Sequence, residues 1–544
     1  MLVDEVAHPL SCLSLSRIRS VGCVIGIGLS CGVLGPAAAG TNQPQVRQDR
    51  LILTLDASVA QTVRAGVDPL GAAGLDSIRD QAATIRPLFP NPGDPQLARE
   101  TGLDRFYVIT LESGVEAAEL LARVPSDPSR ATIRGEVGGQ LLRPSGRASE
   151  FGAAFQGVLA DPIDVPGEEP VNDPLFPDQW ALRNTGQTID GFVGVADADI
   201  DAPPAWSLAS DIVEPVVVAV LDTGVSPTHP DLEYKLVPGI NVASDGHADD
   251  TDDLVFSHGT GCAGVIAAEH NNGYGMAGVA GNALVMPIRI FNSFGFGYEV
   301  EFVAGLTYAA DNGAQVASMS IGFPFYSDAM AAAVEYAYGR DVVLVASTGN
   351  VNGQDVQFPA LMDETVAVGA TNNRDELWAN STRGPEITLV APGVDILSTW
   401  HTADEPATFK RQTGTSFAAP QVAGIAALVR GVAPQLTNEE VGWILINSCD
   451  PFDSSSAWDA DHGYGRLNAA AAVARALSIG VDSCRIDIDG DGRFTIDDIE
   501  AFVDAFIAGD PVTDLVAPFG TIDQDDLGAF VDQVLTGCTG GGTP

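Results

Sequence analysis

Three side chains of complementary chemistry stand in short, distinctive settings in this 544-residue sequence. Asp222 lies in Val-Ala-Val-Leu-Asp-Thr-Gly, His258 in Ser-His-Gly-Thr-Gly-Cys-Ala-Gly, and Ser416 in Gly-Thr-Ser-Phe-Ala-Ala-Pro. A carboxylate can orient an imidazole, the imidazole can take a hydroxyl proton, and the hydroxyl oxygen can then attack an acyl carbon. Taken singly, Asp-Thr-Gly is also an ordinary turn and His-Gly an ordinary structural pair. The three together, in the chain order Asp, His, Ser, are what point to nucleophilic acyl transfer.

The surrounding residues say what must position these groups. Val216 to Leu221 is an apolar, β-branched run that reads as a buried parallel strand, and such strands present functional groups at their carboxyl ends. His258 opens a helix-like stretch carrying Gly259, Gly261 and Gly264, which lets backbone pack closely around it. Ser416 precedes a helical run, Phe417 to Arg430, so its hydroxyl belongs at a helix N-terminus where developing negative charge is favoured. Val342 to Ala346 reads as another buried strand and is followed by Ser-Thr-Gly-Asn350, which on its own is a turn after a strand.

Over roughly residues 172 to 475 the sequence resembles the subtilisin-like serine proteases. That resemblance implies Asp222 as orienter, His258 as general base and acid, and Ser416 as nucleophile. It implies the Asn350 side-chain amide and the Ser416 backbone N–H as the oxyanion donors. Ser320-Ile321-Gly322 and Gly349 would wall the pocket for the residue before the scissile bond, with Gln357 at its floor. The start motif Asp173-Pro-Leu-Phe-Pro-Asp-Gln-Trp is similar to kexin-like members, which carry acids after the Ser-Ile-Gly position to read basic side chains. Here Phe323, Pro324 and Phe325 stand there, so an apolar or broad preference is expected.

Composition narrows the function further. Net charge is −45, from 72 acids against 27 bases, which excludes a nucleic-acid-binding role. Arg17 and Arg19 precede an apolar stretch, Val21 to Leu34, and then Ala37-Ala-Ala39, the pattern of an export signal. Too short for a stable membrane anchor, this stretch implies a secreted chain, extracellular or periplasmic. Of seven cysteines, Cys262 reads as a small core residue and Cys449 is undecided.

Alternation of strand and helix patterns after residue 172 predicts an α/β fold, a doubly wound, mostly parallel sheet with helices on both faces. The expected organisation is a signal at 1–39, a small α+β propeptide with linker at 40–171, a catalytic domain at 172–475, a helical calcium-binding module at 484–538 and a tail at 539–544. The propeptide assignment rests on strands at Leu51–Leu55 and Phe106–Leu111, a helix at Val115–Val124, and similarity to subtilase propeptides.

Two calcium sites are expected. Asp487, Asp489 and Asp491, with Arg493 offering its carbonyl, Thr495, and Asp498 in the closing position, have the spacing of a helix-loop-helix calcium loop, and Gly492 permits its turn. Asp497 to Asp504 recurs as Asp525 to Asp532, but the second loop has lost its first ligands to Leu515, Ala517 and Phe519. The module therefore resembles a dockerin, which implies a cohesin-like partner; a calcium-stabilised appendage is the other reading. Cys484 and Cys538 bracket it and are the expected disulfide. In the catalytic domain, the kexin-like resemblance implies calcium held by Asp173, Asp231 and the Asn272 side chain, with carbonyls of Glu269, Tyr274 and Met276. The acids Asp249, Asp250, Asp252 and Asp253 could bind another ion, but read better as a solvated loop.

The function expected is thus a secreted, self-processing serine endopeptidase acting on polypeptides and held back by its own propeptide. The rival is a silent scaffold or complex subunit docking through its C-terminal module.

Overall fold

Side-chain parity along the strands decides which helices cover which face. The computed structural model describes residues 45–481, except 114, 122–129, 139–170, 211, 213–214, 244, 249, 254–255, 402–406 and 453–457. The expected signal, most of the linker, the calcium loop at Asp487 and the Cys484–Cys538 pair lie outside the described residues.

The first segment runs β1 (Gln45–Leu55), α1 (Ala57–Arg64), α2 (Pro69–Ala73), β2 (Ala82–Pro87), α3 (Pro95–Glu100), β3 (Phe106–Leu111), α4 (Ala117–Leu121) and β4 (Ala131–Gly138). Asp56, Asp68 and Asp94 cap α1, α2 and α3 by accepting backbone N–H groups of the first turn. Proline follows directly in α2 and α3, where its missing N–H costs nothing. The strands form an antiparallel sheet in the order β2-β3-β1-β4. Successive residues face opposite sides. Leu51, Leu53 and Leu55 of β1 and Ile109 and Leu111 of β3 pack with Ala60 of α1 and Leu70 of α2. Ile52, Phe106 and Val108 point the other way, into a core shared with the large domain.

That domain continues with β5 (Thr188–Ile189), β6 (Phe192–Val193), α5 (Ala202–Leu208), β7 (Val217–Asp222), β8 (Ile240–Asn241), α6 (His258–Ala267) and β9 (Leu284–Arg289). Next come α7 (Glu299–Asp311), β10 (Val316–Met319), α8 (Asp328–Gly339), β11 (Val343–Ser347), β12 (Thr365–Thr371) and β13 (Leu389–Pro392). A hairpin of β14 (Ile396–Trp400) and β15 (Thr408–Gln412) leads to α9 (Thr415–Val432) and α10 (Asn438–Ile446). Last are β16 (Cys449–Asp450), β17 (Arg466–Leu467) and α11 (Ala469–Val481).

Nine strands form one sheet in the order β16-β17-β13-β12-β11-β10-β7-β9-β8, parallel throughout except for β16 against β17. Val218 and Val220 of β7 and Val343 and Val345 of β11 pack with α6 and α9. Ala219, Leu221, Leu344 and Ala346 pack with α7 and α8. The doubly wound expectation therefore holds. Asp222 shares the parity of Val218 and Val220, so its carboxylate emerges on the α6–α9 side. The antiparallel sheet of the first segment lies over α7 and α8, on the other side.

Its polar ties to that side are specific. Arg134 donates to both oxygens of Glu299, each at 2.7 Å, and to Ser327 Oγ at 3.1 Å. Arg50 lies 3.8 Å from Glu301. Gly93 N–H donates to Asp311, and Asp94 N–H donates to the Tyr336 hydroxyl, both at 2.9 Å.

Candidate active site

Asp222 ends β7 fully buried, and His258 is the first residue of α6, with its side chain 31% exposed. The strand and the helix approach closely because residue 259 is glycine: a Cβ there would sit 2.2 Å from the Gly224 carbonyl and 2.9 Å from Asp222 Cβ. His258 Nδ1 consequently lies 2.8 and 2.9 Å from the two carboxylate oxygens of Asp222. Burial opposes charging the ring, but the adjacent Asp222 carboxylate outweighs it, and the imidazole is held well above the ordinary histidine range. The Phe417 ring packs edge-on against the imidazole, with centroids 5.5 Å apart.

Ser416 is the second residue of α9, where backbone N–H groups have no intrahelical acceptor. Its hydroxyl donates to the Ser320 carbonyl at 3.3 Å, and its own carbonyl accepts from Ser320 Oγ at 2.8 Å. Ser320 directly follows β10, so the end of a strand holds the start of this helix. Thr415 extends the brace: its N–H and hydroxyl both donate to Asn350 Oδ1 at 2.9 Å, and its hydroxyl accepts from Gly349 N–H at 3.2 Å. With the Asn350 oxygen committed, its Nδ2 is the end left to donate.

Cys262 was not anticipated as a neighbour of all this. One helical turn after His258, it is fully buried, with Sγ 3.9 Å from His258 Nδ1 and donating to the Ser416 carbonyl at 3.4 Å. Burial pushes its thiol pKa up, which suits the small core residue expected. Cys449 is also a free thiol. The i, i+4 spacing from His258 was the available signal.

Two expectations need correction. Asp253 is not part of a solvated loop: it is 1% exposed and accepts from Thr260 N–H at 3.2 Å and Thr260 Oγ1 at 3.3 Å, under the start of α6. Phe323 and Phe325 do not edge a pocket. They are 4% and 8% exposed and pack against each other, and Phe323 also packs against Phe302. Phe323 and Phe358 exchange backbone hydrogen bonds of 2.8 and 3.1 Å, which turns the preceding residue, Gln357, toward the cleft. A Cβ on Gly322 would lie 1.9 Å from Gln357 Oε1, and one on Gly349 would lie 3.6 Å from Gln357 Cδ. Gln357 thus sits between the two segments expected to wall the pocket, while Ile321 is buried.

The acids assigned to a calcium site converge. Asp173 and Asp231 are 2% and 0% exposed. Asp173 accepts from the N–H groups of Asn271 and Asn272 at 2.9 and 3.2 Å. Asp231 accepts from Asn272 Nδ2 at 2.9 Å and Met276 N–H at 3.0 Å, and its own carbonyl accepts from Glu269 N–H at 3.1 Å. Tyr274 N–H donates to Asn272 Oδ1 at 2.7 Å. Among the described residues no Lys or Arg pairs with either carboxylate. Burial, together with Asp173 and Glu269, pushes the Asp231 carboxyl up to about 6.

A family model described as the subtilase family matches residues 214–465. Over 274 residues the sequence is 35% identical to thermitase of Thermoactinomyces vulgaris, spanning 50% of this chain and 93% of that protein. It is 37% identical over 262 residues to subtilisin Savinase of Lederbergia lenta, spanning 47% of this chain and 90% of that one. The chain belongs to the subtilase family. It is a subtilisin-like serine endopeptidase, and polypeptides are its substrates. A further relative, the cell wall-associated protease of Bacillus subtilis, is 33% identical over 331 residues, covering 56% of this chain and 36% of the other. The subtilase match takes in Asp222, His258, Asn350 and Ser416, whereas the antiparallel sheet of residues 45–138 precedes it.

Proposed function

We propose that this subtilase hydrolyses peptide bonds through Asp222, His258 and Ser416, and that it is made as a secreted, self-processing zymogen. The observation that carries the catalytic assignment is the His258–Asp222 contact beside the N-terminus of α9. Nδ1–H is engaged by a buried carboxylate, so Nε2 is the basic nitrogen, available as acceptor. The 3.3 Å bond from Ser416 to Ser320 is long and opposes rotation of the hydroxyl toward Nε2 only weakly.

Ser416 Oγ attacks the scissile carbonyl carbon while its proton passes to Nε2. The carbonyl electrons collect on oxygen, where Asn350 Nδ2 and the Ser416 N–H donate to it. Collapse expels the amine, which takes the proton from Nε2 and leaves an ester on Ser416. Water repeats the sequence, with His258 again as base, and frees the acid. Asp222 keeps the ring in one tautomer and stabilises the imidazolium between steps. Ser320, Ile321, Gly322, Gly349 and Gln357 form the substrate cleft. With Gln357 occupying the space between Gly322 and Gly349, the pocket suits small or polar side chains better than large apolar ones.

The sheet of residues 45–138 is the propeptide, and the linker between about Gly152 and Asn172 is where it is cut. Its shared apolar core and its Arg134–Glu299 pairing with the α7–α8 side support that role, as does its position ahead of the family match. Secretion is supported by the signal-like start and by the name of the cell wall-associated relative. Among the described residues no helix is long and apolar enough to cross a membrane.

Calcium is the ion for the Asp173–Asp231 site. Two buried carboxylates that converge on the Asn271–Met276 loop with no Lys or Arg partner among the described residues, with carbonyls at Glu269, Tyr274 and Met276, would supply oxygen donors for a hard cation, and the Asn272 amide, whose nitrogen now donates to Asp231, would turn its oxygen toward the ion. When bound, the ion supplies charge neutralisation and ties the start of the domain to the loop after α6. The C-terminal loop of Asp487, Asp489, Asp491, Arg493, Thr495 and Asp498 takes a second calcium, and its module is the surface for any cohesin-like scaffold.

The test is expression of the full chain with and without Ser416→Ala in a protease-deficient host. Wild type should lose its N-terminal segment and digest a denatured protein, whereas Ser416→Ala should remain a precursor without activity. Trimming of the variant at the same bond would refute self-processing. Digestion by the variant would refute the nucleophile assignment, and an inert, processed wild type would favour the silent scaffold.

A further inference from the structure

The reaction described above leaves the buried carboxylate of Asp253 unused. Asp253 is 1% exposed and lies beneath the first turn of α6, the helix that His258 opens. The start of that helix is capped from outside it. Ser257, in the capping position, sits at φ 58° and makes no capping bond; its hydroxyl donates to the His401 carbonyl instead. The first backbone N–H groups of a helix have no acceptor within it. Here Gly259 N–H donates to Thr223 Oγ1 at 3.0 Å, and Thr260 N–H donates to Asp253 Oδ2 at 3.2 Å. One residue from the end of β7 and one from the loop before α6 thus replace the usual capping side chain.

The hydroxyl groups have an arrangement that satisfies each of them. Thr223 Oγ1 accepts from Gly259, so its proton is free for the hydrogen bond it makes with Asp253. Thr260 Oγ1 accepts from Ser226 N–H at 3.0 Å and gives its proton to Asp253 Oδ2 at 3.3 Å. Asp253 therefore acts as an acceptor toward both threonines. Thr223 directly follows Asp222, and its N–H donates to Asp222 Oδ1 at 2.7 Å, the oxygen that also lies 2.8 Å from His258 Nδ1. The loop carrying Asp253 is itself held: the Thr251 carbonyl accepts from Val225 N–H at 2.9 Å, and a Cβ on Gly224 would meet that carbonyl at 2.5 Å. Asp253 is tied in this way both to the helix that bears the base and to the residue after the orienting acid. Asp222 from β7 and His401 from just beyond β14 face it, while Asp222 and Cys262 face His258. Burial, then the Asp222 charge, push the Asp253 carboxyl up against the pull of Thr260, Thr223 and His401.

We propose that Asp253 is a positioning residue for peptide hydrolysis: by accepting from Thr260 and Thr223 it fixes the start of α6 against the end of β7 and so sets His258 on Asp222. This inference rests on the proposed roles of Asp222 and His258. Asp253 touches no reacting atom. Its loss lets the first turn of α6 shift away from β7, which lengthens the contacts between Nδ1 and the Asp222 carboxylate. The imidazole then gains less from that charge, so its pKa falls, and Nε2 is presented less accurately to Ser416. A residue that only stabilised the fold would lower the unfolding temperature and leave the ionisation of His258 in the active molecules unchanged.

The test uses the full chain as wild type, Asp253→Ala, Asp253→Asn and Asp222→Asn. Active sites are counted with a sulfonyl fluoride, and kcat and KM for one peptide anilide are followed across pH. Asp253→Ala should lower kcat about ten- to a hundredfold, with KM within about twofold of wild type. The acid limb of its kcat/KM profile should move about half a unit or more toward lower pH. Asp253→Asn keeps an acceptor oxygen for Thr260 and should retain kcat to within about threefold. An unchanged kcat in Asp253→Ala, a change confined to KM, a kcat loss with the limb in place, or an Asp253→Asn as slow as Asp253→Ala would each overturn the inference. Asp222→Asn separates it from the reading beneath it. If the limb stays put in Asp222→Asn, the roles given to Asp222 and His258 are wrong. A limb that moves in Asp222→Asn but not in Asp253→Ala removes the positioning role alone. If Asp253→Ala fails to fold, Thr223→Val breaks the same link from its other end, and its kcat and acid limb decide by the same criteria.

Discussion

Release of the N-terminal sheet should be governed by one buried acid. Glu299 is fully buried at the start of α7 and receives Arg134 through two parallel N–H bonds of 2.7 Å, with Ser327 Oγ donating at 2.6 Å. Replacing Arg134 by Leu removes the only partner among these that comes from the sheet. A hydrogen bond to a charged group contributes about 1.5–3 kcal/mol, and leaving a buried charge without its partner costs about 3–5 kcal/mol. The Arg134 side chain is 37% exposed, so solvent screens the pair and part of that cost disappears. About 2–3 kcal/mol remains, or roughly a 30- to 140-fold rise in the dissociation constant of the sheet after the linker is cut. The assay is the appearance of activity on diluting processed but still-associated protein, for wild type, Arg134→Leu, Glu299→Gln and the double variant. Arg134→Leu should shorten the lag and weaken retention by that factor, and its effect should largely vanish when Glu299 is already Gln. A change below threefold, or an equal effect in both backgrounds, would show that the shared apolar core of Ile52, Phe106 and Val108 carries the association instead.

Three further outcomes follow from the same geometry. Because the Asp222 carboxylate holds the His258 pKa high, and the neutral ring is the base, kcat/KM should fall as pH drops through a value above the ordinary histidine pKa of about 6.5. Asp222→Asn should move that limb downward and cut kcat about 10⁴-fold; an unmoved limb would refute the coupling. Chelation should lower the unfolding temperature of the mature protease: calcium at 1,000 times its Kd contributes about 4 kcal/mol, or roughly 8–16 °C for a domain of this size. Asp231→Ala should reproduce the effect and Asp487→Ala should not, and identical unfolding of wild type with and without chelator would remove that site. Gln357→Gly should raise kcat/KM for Phe over Ala before the scissile bond at least tenfold, as scored with a matched peptide pair; no change would mean that Gln357 does not limit the pocket.

The doubly wound sheet was legible because its strands are continuous apolar runs and its helices alternate with them in sequence. Each candidate catalytic group was legible for a related reason, since Asp222, His258 and Ser416 stand at the terminus of one element within a recognisable local pattern. Contacts that join distant segments were not. Nothing around Phe323 or Phe325 distinguishes a pocket edge from a core aromatic, and only the backbone exchange with Phe358 sends both rings inward. Asp253 looks like any member of an acidic run until Thr260, at the start of α6, turns out to donate to it. The bidentate pairing of Arg134 with Glu299 joins residues 165 positions apart and has no local signature at all.

The parity of β7 links these observations to catalysis. Val218, Val220 and Asp222 face α6 and α9, so the carboxylate, which also accepts from the Thr223 N–H at 2.7 Å, meets His258 at the start of α6. Ala219 and Leu221 face α7 and α8, which are covered by the N-terminal sheet. The N-terminal sheet, packed on that second face, does not touch the catalytic groups through its body. The described chain resumes beside the candidate calcium loop, where Asn172 N–H donates to Asn271 Oδ1 at 2.9 Å. On the proposed reading of this sheet as a propeptide, its retention and its effect on the cleft are separable. Arg134→Leu should speed release without changing the kcat of the freed enzyme, and a variant whose free kcat also fell would show that the sheet's docking face reaches the catalytic groups after all.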